Sequence, residues 1–146
     1  MEMGFLTNLL KNKISKKRSK NTLAQDIAVA SDWIVEALAS SGYKADYTLE
    51  SMKEIDRFFD EQNKPGGILA ENRGKILFGI GSYIGQTAIK LYGGEWITDD
   101  SDSEGELNIS VRTENGSLIF PVMKCMKRFQ NGMEDSIYTY MAILNR

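Results

Sequence analysis

Residues 74–96 read GKILFGIGSYIGQTAIKLYGGEW, and the fold turns on whether this stretch is a phosphate-binding turn or one long helix. Six of the chain's thirteen glycines stand in it, at positions 74, 79, 81, 85, 93 and 94. In the nucleotide reading Ile76–Phe78 is a strand, Gly79-Ile80-Gly81 is the turn and Tyr83–Tyr92 is the helix that receives the phosphate. Trp96–Thr98 then supplies a second strand, and Asp99 lies where a ribose contact is expected. The third glycine of that pattern belongs at position 84, which is Ile, and Gly85 comes one step late. An antiparallel hairpin follows where further strand-helix-strand units are needed.

The helical reading places Leu77, Gly81, Ile84, Ala88 and Leu91 on one face, with Gly93-Gly94 as the stop. A glycine inside a helix costs about 1 kcal/mol relative to alanine. That cost is offset if Gly74, Gly81 and Gly85, which share a face, let another helix or a sheet approach the backbone. The same small-x-x-x-small pattern joins membrane helices, but this stretch is too polar to span a bilayer. A packed helix is the expectation, with a nucleotide or small-ligand site around Gly79–Gly85 as the alternative.

Upstream, Leu23, Ile27, Ala30, Ile34 and Leu38 recur at helical spacing with Trp33 and Ala37 alongside, and Ser40-Ser41-Gly42 ends the run. Ser51 and Glu54 have the S-x-x-E spacing of a capping box. They open a second helix with an apolar face of Met52, Ile55, Phe58 and Phe59, stopped by Asn63-Lys64-Pro65-Gly66-Gly67. Downstream the period changes to two. Glu95–Thr98 and Glu106–Arg112 read as strands, the latter alternating Leu107, Ile109 and Val111 against Asn108, Ser110 and Arg112. Glu114-Asn115-Gly116 is a hairpin turn, and Ser117–Val122 is a third strand ended or edged by Pro121. Two helices follow, about Val122–Phe129 and Glu134–Leu144. The predicted fold is α+β: N-terminal helices, an antiparallel sheet of about three strands, and C-terminal helices.

At 146 residues the chain is long enough for one domain with its own core, residues 21–146. Residues 1–20 form a separate basic amphipathic segment with six bases against one acid, net +5, so the remainder carries −7 of the total −2. Phe5, Leu6, Leu9, Leu10 and Ile14 make one apolar helical stripe there, and Lys16, Lys17, Arg18 and Lys20 follow. The expectation is a short helix that docks on its own domain or a subunit. No aromatic is interleaved with the bases to stack on nucleotides, so nucleic acid is not expected. MEMGFLTNLL lacks the basic start of a secretory signal, and no run approaches the length of a membrane span. A soluble, cytoplasmic protein of bacterial type is expected.

The chain contains no histidine. The usual general base near neutral pH, the Ser-His and Cys-His nucleophile pairs and nearly all zinc sites go with it. This weighs against an enzyme, and no cofactor is expected. Cys125, the lone cysteine, cannot form an internal disulfide and reads as packing. The acidic run DDSDSEGE at 99–106 is the one metal candidate. Aligned on a calcium loop, Asp100, Asp102 and Glu104 take positions one, three and five, and Gly105 takes six. Position twelve, where a bidentate Glu belongs, is Val111. Lys124, Lys127 and Arg128 share a helical face as an ion-pairing or anion-holding triplet. Glu134 and Asp135 suit the start of the last helix. Tyr83, Tyr92, Trp96, Tyr138 and Tyr140 read as core or interface aromatics.

Four pieces of the sequence form a set: Gly81-x-Tyr83-x-Gly85, Gly93-Gly94-x-Trp96, Phe120-Pro121, and Lys127-Arg128-Phe129-x-Asn131-Gly132-x-Glu134-Asp135-Ser136-Ile137-Tyr138. With these the chain, over about residues 47–143, resembles a family of uncharacterised bacterial domains of unknown function. The resemblance implies a small α+β domain and carries no catalytic residue or cofactor with it. The expected function is non-catalytic, of immunity or regulatory type, exercised through a protein partner or a homodimer.

Overall fold

The computed structural model describes residues 21–144. The segment 1–20, with its apolar stripe and basic run, lies outside the described residues, and so does its boundary with the domain.

The first helix, α1, runs Leu23–Ser40. Thr22 caps it in a full capping box: the Gln25 amide donates to the Thr22 hydroxyl, and the Thr22 amide donates to the Gln25 side chain. Leu23, Ile27, Ser31, Ile34 and Leu38 form its buried stripe. The second helix, α2, runs Ser51–Gln62 and buries Met52, Ile55, Phe58 and Phe59. The expected Ser51–Glu54 capping box does not form. Ser51 Oγ donates to the Thr48 carbonyl and meets the Tyr83 hydroxyl at 2.6 Å, while Glu54 pairs with Arg57 and accepts the Lys44 amide. Other partners, Thr48 and Tyr83 for Ser51 and Arg57 and Lys44 for Glu54, take both side chains.

The third helix, α3, spans Arg73–Tyr92 and contains the whole glycine stretch. Gly93, at φ 73°, terminates it in a conformation that favours glycine. Ile76, Leu77, Ile80, Tyr83, Ile84 and Ala88 share one broad apolar face, and Gly79, Gly81, Ser82 and Gly85 are buried on the rest of the circumference. A helix buried on its bare side as well as its apolar one belongs inside a domain, and α3 packs against α1, the later helix Pro121–Asn131 and the sheet. Leu91 departs from the expected face and is 39% exposed.

The sheet is antiparallel in the order β1-β2-β3: Gly94–Ile97 (β1), Ser110–Thr113 (β2) and Leu118–Ile119 (β3). Trp96, Val111 and Ile119 are in register on the face toward α3, and Glu95, Arg112 and Leu118 on the other. This is the one-sided burial usual for antiparallel sheets. The expected strand Glu106–Arg112 is a strand only at its end. Residues 103–108 are wound into turns, the Asn108 amide donates to the Glu104 carbonyl, and Asn108 Nδ2 donates to Asp102. Side-chain hydrogen bonds of this kind compete directly with a strand ladder.

Pro121 starts the fourth helix, α4 (Pro121–Asn131), instead of closing a longer third strand. It occupies the first turn, where a missing amide costs nothing. The expected final helix from Glu134 begins later, as α5 (Ile137–Ile143), with Ser136 as its cap. Residues 132–135 form a single tight 3-10 turn that holds Glu134 and Asp135.

Candidate functional site

Two buried charges, Asp56 and Arg128, come together where α2, α4 and α5 meet. Asp56 follows Ile55 on the buried face of α2 and is 5% exposed. Its carboxylate accepts from Arg128 Nε at 2.8 Å, Ser136 Oγ at 2.8 Å, the Ile137 amide at 2.9 Å and the Tyr138 amide at 3.1 Å. An acid on one helix thus caps the start of another, where backbone amides and the helix dipole favour negative charge. Arg128, 2% exposed, also donates to the Asp56 carbonyl and to Asp60 at 2.7 Å. Burial works against its charge, but the hydrogen bonds it donates to Asp60 and Asp56 outweigh it and hold the guanidinium pKa above its ordinary value. Asp56 and Arg128 are engaged with one another and with the ends of neighbouring helices, so the cluster is a joint between helices.

The expected basic triplet is therefore divided. Arg128 is in the core, Lys124 pairs with Asp135 at 3.0 Å beneath the Tyr140 ring, and Lys127 is exposed. Asp135 does not open the last helix. Hydrogen bonding from Asn131, then from Lys124, holds its carboxyl below the usual range. Sequence reasoning missed Asp56, although a signal was present: Met52, Ile55, Asp56 and Phe59 have the i, i+3, i+4, i+7 spacing of one face.

The acidic run is occupied in the same way. Asp100 Oδ1 accepts the Leu23 amide at 2.7 Å, so it caps α1 from outside. Asp99 accepts from the amide and hydroxyl of Ser101. Asp102 accepts the Glu104 amide and Asn108 Nδ2, and the Asn108 bond is the main reason its pKa is lowered. Glu104 is exposed. Among the described residues no group of three or more His, Cys, Asp or Glu side chains is placed to hold a metal.

Around Gly79–Gly85 the chain is helical without interruption, so the turn that a dinucleotide needs is not formed. A Cβ at Gly79 would lie 3.1 Å from Ile34, one at Gly81 2.6 Å from Val122, and one at Gly85 2.0 Å from the Trp96 ring. These glycine faces are filled by α1, α4 and β1 respectively. Gly74 faces open space instead of sharing the packed side. A ligand at 100 times its dissociation constant adds about 2.7 kcal/mol of stability. Thermal melting in NAD or ATP is expected to be unchanged, and an upward shift of several degrees with either would restore a nucleotide site.

The aromatics have structural partners. Tyr83 is fully buried between Ser51 and the Tyr47 amide, which donates to its hydroxyl at 3.0 Å, and burial raises its pKa. Tyr92 donates to the Met141 carbonyl, and Trp96 Nε1 donates to Gln86. Burial likewise pushes up the Cys125 thiol, which leaves it a poor nucleophile.

A concave surface among the described residues is not consumed by the fold. A cleft of about 320 Å³ opens between the C-terminal half of α1, Phe58 of α2, residues 66–72 and the start of α3. Trp33, Ala37, Ile68 and Ile76 form its apolar wall, and Glu71 and Asn72 lie at its polar margin. Its volume is at the small end of the range for ligand sites, about 300–1,000 Å³. Asp32 and Glu36, both exposed on α1, flank Trp33 in sequence, and Lys75 Nζ lies 4.4 Å over the Trp33 ring.

Comparison with known proteins finds no match to this chain among family models, curated proteins or solved structures.

Proposed function

We propose that the chain is a non-catalytic cytoplasmic protein of immunity or regulatory type that works by binding another protein, and that the cleft beside Trp33 is where it binds. The observation that carries this reading is the contrast between the polar interior and the cleft. Asp56, Arg128, Ser51 and Tyr83 are fully engaged with one another and with the backbone. The cleft offers apolar surface at the protein's exterior, in the shape of a pocket for an anchoring side chain. The residues of the motif set have packing roles: Gly81 and Gly85 receive Val122 and Trp96, and Arg128 and Ser136 complete the helix joint.

Ile68→Asp tests this. Ile68 lines the cleft and is 38% exposed, so the substitution is expected to leave melting almost unaltered. Protein partners recovered with the tagged wild-type chain from its native host are expected to be lost with the variant. Recovery of the same proteins by both chains, or turnover of a substrate by the purified protein, removes the proposal.

A further inference from the structure

We infer that the cleft's resident occupant is the chain's own residues 5–14, so that a partner binds by displacing them. The inference rests on reading the cleft as a binding surface, and three observations point to this occupant.

The first is the shape of the approach. Val29, Trp33 and Ala37 stand at i, i+4 and i+8 on α1, and Val29 is 58% exposed. They form an apolar strip that leads from near the start of α1 into the cleft. Residues 5–14 carry a matching stripe of Phe5, Leu6, Leu9, Leu10 and Ile14. A stripe laid on that strip covers both apolar surfaces at once.

The second is reach. From Thr22 to Trp33 and Ala37 the helix rises about 17 and 22 Å at 1.5 Å per residue. The seven residues 15–21, extended, span up to about 23–25 Å. Ile14 can therefore be delivered to the cleft while Thr22 keeps its place as the α1 cap. A tether this short sets an effective concentration on the order of millimolar, so modest intrinsic affinity closes the contact.

The third is charge. Asp32 and Glu36 stand exposed on α1 beside the strip and Glu71 lines the cleft, with Lys75 over the Trp33 ring. The segment and its tether bring Lys11, Lys13, Lys16, Lys17, Arg18 and Lys20. The basic segment is thus drawn to the acidic border, and its apolar stripe is left to face the cleft.

A nitroxide at Asn8→Cys in the full-length protein tests this. Asn8 is off the apolar stripe, and Cys125, buried with a raised pKa, does not compete for the label. Nitroxide-induced broadening is expected at the Trp33 indole and at the amides of Ala37 and Ile68, several-fold above that at β3. Adding Leu9→Asp with Leu10→Asp is expected to abolish it while the rest of the amide spectrum is kept. Broadening centred on Leu118 and Phe120, or none above the chain-wide average, overturns the inference. So does broadening that appears only in 15N-labelled, nitroxide-free chains mixed with unlabelled nitroxide-bearing ones, because the docking is then between copies. No partner enters this measurement. Absence of cleft broadening with partner loss in Ile68→Asp defeats the self-docking alone, and the reverse combination defeats the partner reading alone.

Discussion

Asp56→Ala is expected to lower the unfolding free energy by about 3–5 kcal/mol, the cost of removing one partner from a buried ion pair. The carboxylate serves three elements. It neutralises Arg128 in the core, fixes Ser136, and takes the first two amides of α5. A helix of seven residues has no independent stability, since isolated helices under about 12–15 residues are marginal in water. What holds α5 is its buried side and this acid at its N-terminus. Without the acid, Arg128 keeps only Asp60, which is itself half-exposed, the Asp56 carbonyl and the Met133 sulfur. Urea unfolding measures the loss as a lower midpoint with an unchanged slope. Arg128→Met added to Asp56→Ala is expected to cost less than the sum of the two, because the double variant buries no unpaired charge. A loss below about 1 kcal/mol for Asp56→Ala would mean that the joint is not what anchors α5.

The elements that could be read in advance were those whose signals are local. The stripe on α1, the apolar face of α2, the glycine stop at 93 and the hairpin turn at 114–116 all depend on neighbours a few residues apart. The errors came where one local hydrogen bond outbid another, or where a distant partner did. Ser51-x-x-Glu54 has the spacing of a capping box, yet Tyr83 and Arg57 claim those side chains. Thr22-x-x-Gln25 forms the box, since nothing else competes for it. Residues 106–109 alternate like a strand, but Asp102 and Asn108 tie that segment into turns. Asp56 and Arg128 lie 72 residues apart, and only the packing of α2 against α4 and α5 brings them together. The cleft was illegible for the same reason. Trp33 and Ile76 carry no local signal of a cleft, and the space between them depends on how the turn at 66–72 leaves α2.

Gly81→Leu is expected to cost about 3 kcal/mol or more, while Gly74→Ala, one helix position class removed, is expected to stabilise by about 0.5–1 kcal/mol. Gly81 carries the full penalty for glycine in a helix interior, and Gly74, the second residue of α3, carries part of it. The surroundings set the sign. A Cβ at Gly81 would lie 2.6 Å from a Val122 methyl and 3.0 Å from the Val122 amide nitrogen and Cα, so backbone on α4 has to move. A leucine there forces α3 and α4 apart, and overpacking a close-packed interior costs 1–3 kcal/mol before the lost contacts of Val122 are added. At Gly74 a Cβ meets nothing within 4 Å, so alanine brings its helical preference at no steric cost. Gly85→Ala falls between the two, because the atoms it strikes belong to the Trp96 ring, which can swing where backbone cannot. Thermal or urea unfolding of the three variants should order them Gly74→Ala, Gly85→Ala, Gly81→Leu from most to least stable. A stable Gly81→Leu would mean that α3 and α4 are not in direct backbone contact and that the glycines have another purpose. The expected order instead makes the glycine stretch a packing device, with the bare positions of α3 matched one for one to the neighbours that fill them.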